Sequence, residues 1–192
     1  MPGEELPQES CCAHPGGTPA LGPILEQIGS LTERIRDYEC QLEEICKEHY
    51  PESELLRQVE GVGTLTALTF VLTLEDPYRF EKSRSVGAYL GLVPARDQSG
   101  DRDPQRRISK EGDEMLRKLL VSGAHYILGP FGSDSDLRRH GEKIAFRGGK
   151  NSKKRAVVAV ARKLAVLLHS LWISAEVYEP LRNAHRSGDQ AA

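Results

Sequence analysis

The apolar residues of this chain follow one period near its start and a different one beyond it. Ile24, Ile28, Leu31, Ile35, Tyr38, Leu42 and Ile45 step alternately by four and three. That is the a/d seam of three heptads, with Glu, Gln and Arg on most of the other faces. One amphipathic helix laid against a core is the plainer reading. The strict 3.5-residue period favours a coiled coil, intermolecular or antiparallel, which Pro51 brings to an end. Residues 53–74 then read as a short helix, a turn at Gly61-Val62-Gly63 and a second apolar helix, the outline of a helix-hairpin-helix. A turn follows at Asp76-Pro77, and a short helix near Ser83–Leu90. From Asp113, an N-cap residue type, Leu116, Leu119, Leu120, Gly123, Ala124 and Ile127 keep helical spacing up to Gly129-Pro130. Another helix is predicted around Leu137–Ala145, then the loop Arg147–Ser152. A last long helix, about Lys153–Ile173, should bury Val157, Val160, Ala161, Leu164, Leu168 and Leu171. Only Phe70–Leu74 and Val157–Val160 are rich in β-branched residues.

The predicted fold is therefore mainly α, an N-terminal coiled-coil helix followed by a compact helical domain containing a helix-hairpin-helix. The predicted boundaries are a disordered leader at 1–23, the coiled-coil helix at 24–50, the helical domain at 53–182 and a disordered tail at 183–192. The leader is rich in Pro, Gly and Glu and can bury little.

Composition changes this picture in one respect. The 192 residues carry a net charge of only −2, but residues 1–60 hold 13 acidic and 4 basic side chains while residues 102–163 hold 16 basic and 7 acidic ones. Such a split suggests a basic half that faces nucleic acid, or else two halves that pair or stay solvated. Cys11 and Cys12 are adjacent, and Cys40 and Cys46 have no His at ligand spacing, so the four cysteines form neither a disulfide framework nor a zinc site. They read as reduced thiols. The acidic start lacks a signal-peptide pattern, and no apolar run is expected to approach the ~20 residues that span a bilayer. These features point to a cytoplasmic protein with no membrane partner.

Three places could carry chemistry. In the first, Ser99-Gly100 sits in a polar loop with Arg96, Arg102, Arg106 and Arg107 around it, followed by Ser109, Lys110 and Gly112 before the next helix. A serine hydroxyl is a weak nucleophile, so attack on a phosphodiester depends on positioning, on cations that spread the developing charge, and on a proton acceptor. Arginines clamp nonbridging oxygens in bidentate fashion, and Gly100 permits close approach. No base is identifiable, and a Ser-Gly loop is usually only a turn. Ser109 is the rival serine, though its place beside a helix start suits capping. The second place is the turn at Gly61 and Gly63, where N–H groups opening a helix can cradle a phosphate. The third is Arg147, Lys150, Lys153, Lys154 and Arg155 with two loop glycines. Cations at a helix N-terminus oppose the dipole unless an anion binds there.

Taken in order, Val59-Glu60-Gly61-Val62-Gly63, Tyr89-Leu90-Gly91-Leu92-Val93-Pro94, Ser99-Gly100, Ile108-Ser109-Lys110-x-Gly112, Leu116-Arg117 and Ala159-Val160-Ala161-Arg162-Lys163-Leu164 resemble the C-terminal domain of DEDD-type insertion-sequence transposases, the 110/116/902 family. The resemblance covers roughly residues 55–180. It departs in having Arg106-Arg107 where the family usually has Gly, and Asp113 where it usually has Asn. The resemblance implies DNA transposition with Ser99 as the recombination nucleophile. It also implies oligomers, here through residues 24–46, and the partners DNA and a structured guide RNA. In the family an N-terminal RuvC-like domain holds a divalent metal on acidic ligands. Nothing before Ile24 fits that domain, so this chain itself is expected to bind no cofactor and to be a truncated or split transposase. The competing expectation is a non-catalytic nucleic-acid-binding or inhibitory fragment that associates with intact transposases.

Overall fold

The computed structural model describes residues 18–95 and 107–183, with side chains from Leu21 onward. Its helices are α1 (Thr18–His49), α2 (Glu52–Leu56), α3 (Thr64–Leu74), α4 (Val86–Tyr89), α5 (Glu114–Leu128), α6 (Asp136–Phe146) and α7 (Ser152–Ser174), with 3₁₀ turns at Pro77–Arg79 and Ser83–Ser85. The fold is mainly α. Among the described residues the one β pairing is an isolated antiparallel bridge between Pro94 and Ile108. The chain divides into two compact units between Gln41 and Leu42.

The first unit is the body of α1. It opens at Thr18, ahead of the expected Ile24, because Pro19 falls in the first turn, where a missing N–H costs nothing. Pro23 lies inside the helix. The seam residues Ile24, Ile28, Leu31, Ile35 and Tyr38 are 53–57% exposed. Within the described residues of that unit nothing covers them.

The second unit is built around α7, which packs against α6, α5, α4 and α2. Val160, Ala161, Leu164, Ala165, Leu168 and Leu171 of α7 are buried, and Val157, expected in the core, is half-buried. Leu56, Phe70, Leu74, Leu90, Leu116 and Leu120 complete the core, with Phe70 edge-on to Trp172 at 6.3 Å between ring centroids. At about 25 cal/mol per Å² this apolar burial is the main term holding the unit together. By length and composition α7 could cross a membrane, contrary to expectation. Half of that stretch is buried as the unit's central helix. Glycines set the closest contacts. A Cβ on Gly141 would meet Leu128 Cδ2 and Val160 Cγ2 at 2.6 Å, and one on Gly123 would meet the Gly61 carbonyl at 2.7 Å.

Caps behave as their residue types suggest. Asp113 accepts from Leu116 N–H at 2.5 Å, and Ser135 from Arg138 N–H at 3.2 Å. Beyond α7 the chain returns over the start of α6. There Asp136 N–H donates to Pro180 O at 2.7 Å, Asn183 donates twice to Asp136 Oδ2, and Tyr178 N–H donates to Gln58 Oε1 at 3.0 Å.

Candidate nucleic-acid interface and the stem of the Ser99 loop

Residues 91–95 and 107–112 run side by side as a short antiparallel stem. Ala95 N–H donates to Arg107 O and Ser109 N–H to Val93 O, both at 2.9 Å, and Lys110 N–H donates to Gly91 O at 3.2 Å. Two glycines lock its base. Gly91 has φ +65°, and any Cβ there would strike the backbone of Glu111 and the Lys110 carbonyl carbon. Gly112 has φ +79°, and a Cβ there would strike the Tyr89 carbonyl oxygen. Only glycine suits a position that combines a left-handed backbone with such close approach. Lys110 itself takes φ +60°.

Arg117 ties the crossing together. Its Nη1 donates to the carbonyls of Leu90 at 3.3 Å, Glu111 at 3.0 Å and Asp113 at 3.4 Å. Leu90, Leu92 and Leu116, all fully buried, anchor the same crossing from beneath. The stem's two sides are joined by residues 96–106, which carry Ser99 with Gly100, Arg96, Arg102 and Arg106. All of these lie outside the described residues. Arg107 and Lys110 are exposed on the stem. Ser109 is half-buried and its Oγ accepts from Glu111 N–H at 3.5 Å, a turn contact.

The turn between α2 and α3 separates its two glycines. Gly61, φ +83°, packs on α5, where its Cβ would meet Gly123 O at 2.9 Å. Gly63 is the N-cap of α3, exposed and with open space around it, and no side chain caps the helix. Of the two, only Gly63 stands at an accessible helix start.

The α6–α7 connection gathers the third group. Arg147 is the C-cap of α6, Gly148 and Gly149 have φ +70° and +88°, and Asn151 opens α7 at φ +70° without a side-chain cap. Arg147, Lys150, Lys153, Lys154 and Arg155 are exposed, and none is in an ion pair among the described residues. Nearby, burial together with the charges of Lys163, Lys143 and Arg147 lowers the pKa of His140.

Sequence reasoning missed the structural use of two cations. Besides Arg117, Arg138 gathers the carbonyls that close α5, donating from Nη1 to Ile127, Gly129 and Gly132 oxygens at 2.7–3.0 Å, and its Nε donates to Glu142 at 2.9 Å. A cation among C-terminal carbonyls complements the helix dipole. Arg139 pairs with Asp134. Part of the basic surplus of residues 102–163 is thus spent inside the fold. Among the described residues no cluster of His, Cys, Asp and Glu is arranged to hold a metal. Cys40 and Cys46 are free thiols.

The model for the family described as "Transposase IS116/IS110/IS902 family" matches residues 53–136, from α2 across the stem to the start of α6. The chain is 33% identical to the transposase for insertion sequence element IS1111A of Coxiella burnetii, over 91% of this chain and 48% of that protein. It is 30% identical to a probable family 20 transposase of Pseudomonas aeruginosa, over 83% of this chain and 46% of the relative. Against the transposase for insertion sequence element IS1328 of Yersinia enterocolitica, identity is 35% over 54% of this chain and 31% of the relative. These are transposases. Over residues 53–136 the chain is similar to the IS116/IS110/IS902 transposase family, and it spans about half the length of the IS1111A and Pseudomonas relatives.

Proposed function

We propose that this chain is the serine-bearing half of a DNA transposase, with Ser99 as the nucleophile and DNA as its partner. The observation that carries the reading is the stem. Gly91, Gly112 and Arg117 lock the crossing from which residues 96–106 emerge, which is how a rigid base would hold a loop nucleophile in a reactive position. In the proposed step the Ser99 Oγ–P bond forms as a phosphodiester P–O bond breaks. The serine proton passes to a base, and the released deoxyribose oxygen takes up a proton as a hydroxyl. The new serine phosphodiester keeps the bond available for rejoining to another strand. Arg107, with Arg96, Arg102 and Arg106, would spread charge on the nonbridging oxygens.

Gly63 and the cluster of Arg147, Lys150, Lys153, Lys154 and Arg155 would bind backbone phosphates away from the reacting bond. The exposed seam of α1 would bring copies of the chain together. The acidic metal-binding domain and the structured guide RNA belong to the family resemblance, and this reading assigns both to components outside residues 18–183.

The test supplies such an acidic domain, a divalent metal and the element's RNA together with target DNA, and looks for DNA covalently joined to this chain. Ser99→Ala should abolish the adduct and leave DNA binding nearly intact, while Ser109→Ala should keep it. An adduct that survives Ser99→Ala and is lost with Ser109→Ala identifies the wrong serine. Intact binding without any adduct leaves a binding fragment that associates with complete transposases.

A further inference from the structure

The outer face of α6 holds Arg139, Glu142, Lys143, Phe146 and the C-cap residue Arg147, spaced so that all five lie on one helical stripe and line one open groove. Phe146 is 94% exposed and joins neither the core nor any ring pair among the described residues. A bare phenyl ring at a helix end gives up the stabilisation that burial would bring. Its surroundings are cationic. Arg138 neutralises Glu142 and Asp134 neutralises Arg139, while Lys143 and Arg147, which line the groove with the ring, have no ion-pair partner among the described residues, and Lys150 follows closely in sequence. Burial first, and the charges of Lys163, Lys143 and Arg147 after it, lower the pKa of half-buried His140 on the same helix.

We propose that Phe146 is a stacking platform for an unpaired nucleobase, with Lys143 and Arg147 on the flanking phosphates. The inference rests on the nucleic-acid reading above and narrows it to a single-stranded segment. A lone ring is too little apolar area for a protein groove, and the unpaired cations disfavour the equally basic face of a second copy. A base offers a flat π-face and brings its own negative charges. A duplex hides those faces within its stack, so the strand must be unpaired at this point.

The experiment measures binding of the full chain to a fluorescent deoxythymidine 12-mer, and to a 12-base-pair duplex, across a salt series. Phe146→Ala should weaken the single strand by roughly 5-fold or more. It should leave duplex affinity and the single-strand salt slope unchanged, and Phe146→Trp should restore binding. Lys143→Ala with Arg147→Ala should instead flatten the single-strand salt slope by up to about 1.4 units, at roughly 0.7 per phosphate. No effect of Phe146→Ala on the single strand, or an equal loss on both probes, overturns the platform while the nucleic-acid reading stands. Unchanged strand affinity with lost self-association in light scattering assigns the ring to a second copy and overturns it too. An unmutated chain that binds neither probe removes both readings.

Discussion

Gly112 and Gly148 share a left-handed backbone but not its surroundings. A Cβ on Gly112 meets the Tyr89 carbonyl, whereas one on Gly148 meets nothing within 4 Å. Gly148→Ala should therefore cost only the conformational strain, about 1–2 kcal/mol. Gly112→Ala adds a backbone clash and should lower the melting temperature further, by at least roughly 4 °C in all. Equal losses in the two variants, read by thermal denaturation, would remove the locked base of the stem.

His169 offers a second test at this scale. It is fully buried, its Nε2 lies 2.8 Å from Pro77 O, and Nδ1 has no partner among the described residues. With the proton on Nε2 that nitrogen donates to the carbonyl. Burial then disfavours a second proton and lowers the pKa, partly offset by the Pro77 contact. The folded pKa lies below the unfolded value of about 6.5, so as pH falls the unfolded chain takes up the proton first. The associated stability is present above about 6.5 and is lost as pH drops through the folded value. His140 acts in the same direction. Denaturant midpoints should fall between about pH 8 and about pH 5, and His169→Gln should flatten that slope. An equally steep profile in the variant would move the effect elsewhere.

At the scale of elements, α1 and α7 differ in what their apolar faces touch. The α7 face is covered by its own chain. The α1 seam from Ile24 to Tyr38 is more than half exposed, yet each seam side chain contributes about 1.5–3 kcal/mol only when buried. Ile35→Asp should convert an oligomer into a monomer in light scattering. A monomeric unmutated chain would leave the seam without that role. The start of α7 carries Lys153, Lys154 and Arg155 against its dipole. Replacing all three by Ala should flatten the log-affinity against log-salt slope for duplex DNA by up to about 2–3 units, at roughly 0.9 per phosphate contact. An unchanged slope returns them to a solvated turn.

Most of these elements were legible beforehand. The spacing from Leu116 to Ile127 and the capping type of Asp113 gave α5 almost residue for residue, and Pro51 and Pro130 marked helix ends. The start of α1 lies ahead of the expected Ile24 because the leader was read from its Pro-, Gly- and Glu-rich composition, although a proline in the first turn is tolerated. The span of α7 was foreseen, but not that its apolar run meets the length for a bilayer.

For the whole molecule, the division at Gln41 and Leu42 predicts separable behaviour. Ile35→Asp should abolish any concentration dependence of assembly while the unfolding midpoint of the second unit, measured in dilute solution, stays within about 1 °C. A large drop would mean that the helical domain needs the seam to fold. The charge asymmetry also belongs to this scale. The seven acidic and sixteen basic residues of 102–163 suggested an undivided basic face, but Arg117, Arg138 and Arg139 are engaged within the fold. The exposed surplus is concentrated around Lys143–Arg155.

What the sequence determined by itself was local and periodic. Helix positions follow from apolar spacing, caps from short side chains at helix starts, and the family likeness from motifs in fixed order. Those are properties of neighbouring residues and survive without any knowledge of the fold. Only the tertiary structure decided which arginines are structural, because the carbonyls gathered by Arg117 come from as far away as Leu90, 27 residues earlier. It also decided that Gly61 packs on Gly123 while Gly63 stays open, and that Phe146 is bare. Convergence of distant backbone and exposure of a side chain depend on how helices pack, and no spacing along the chain encodes either.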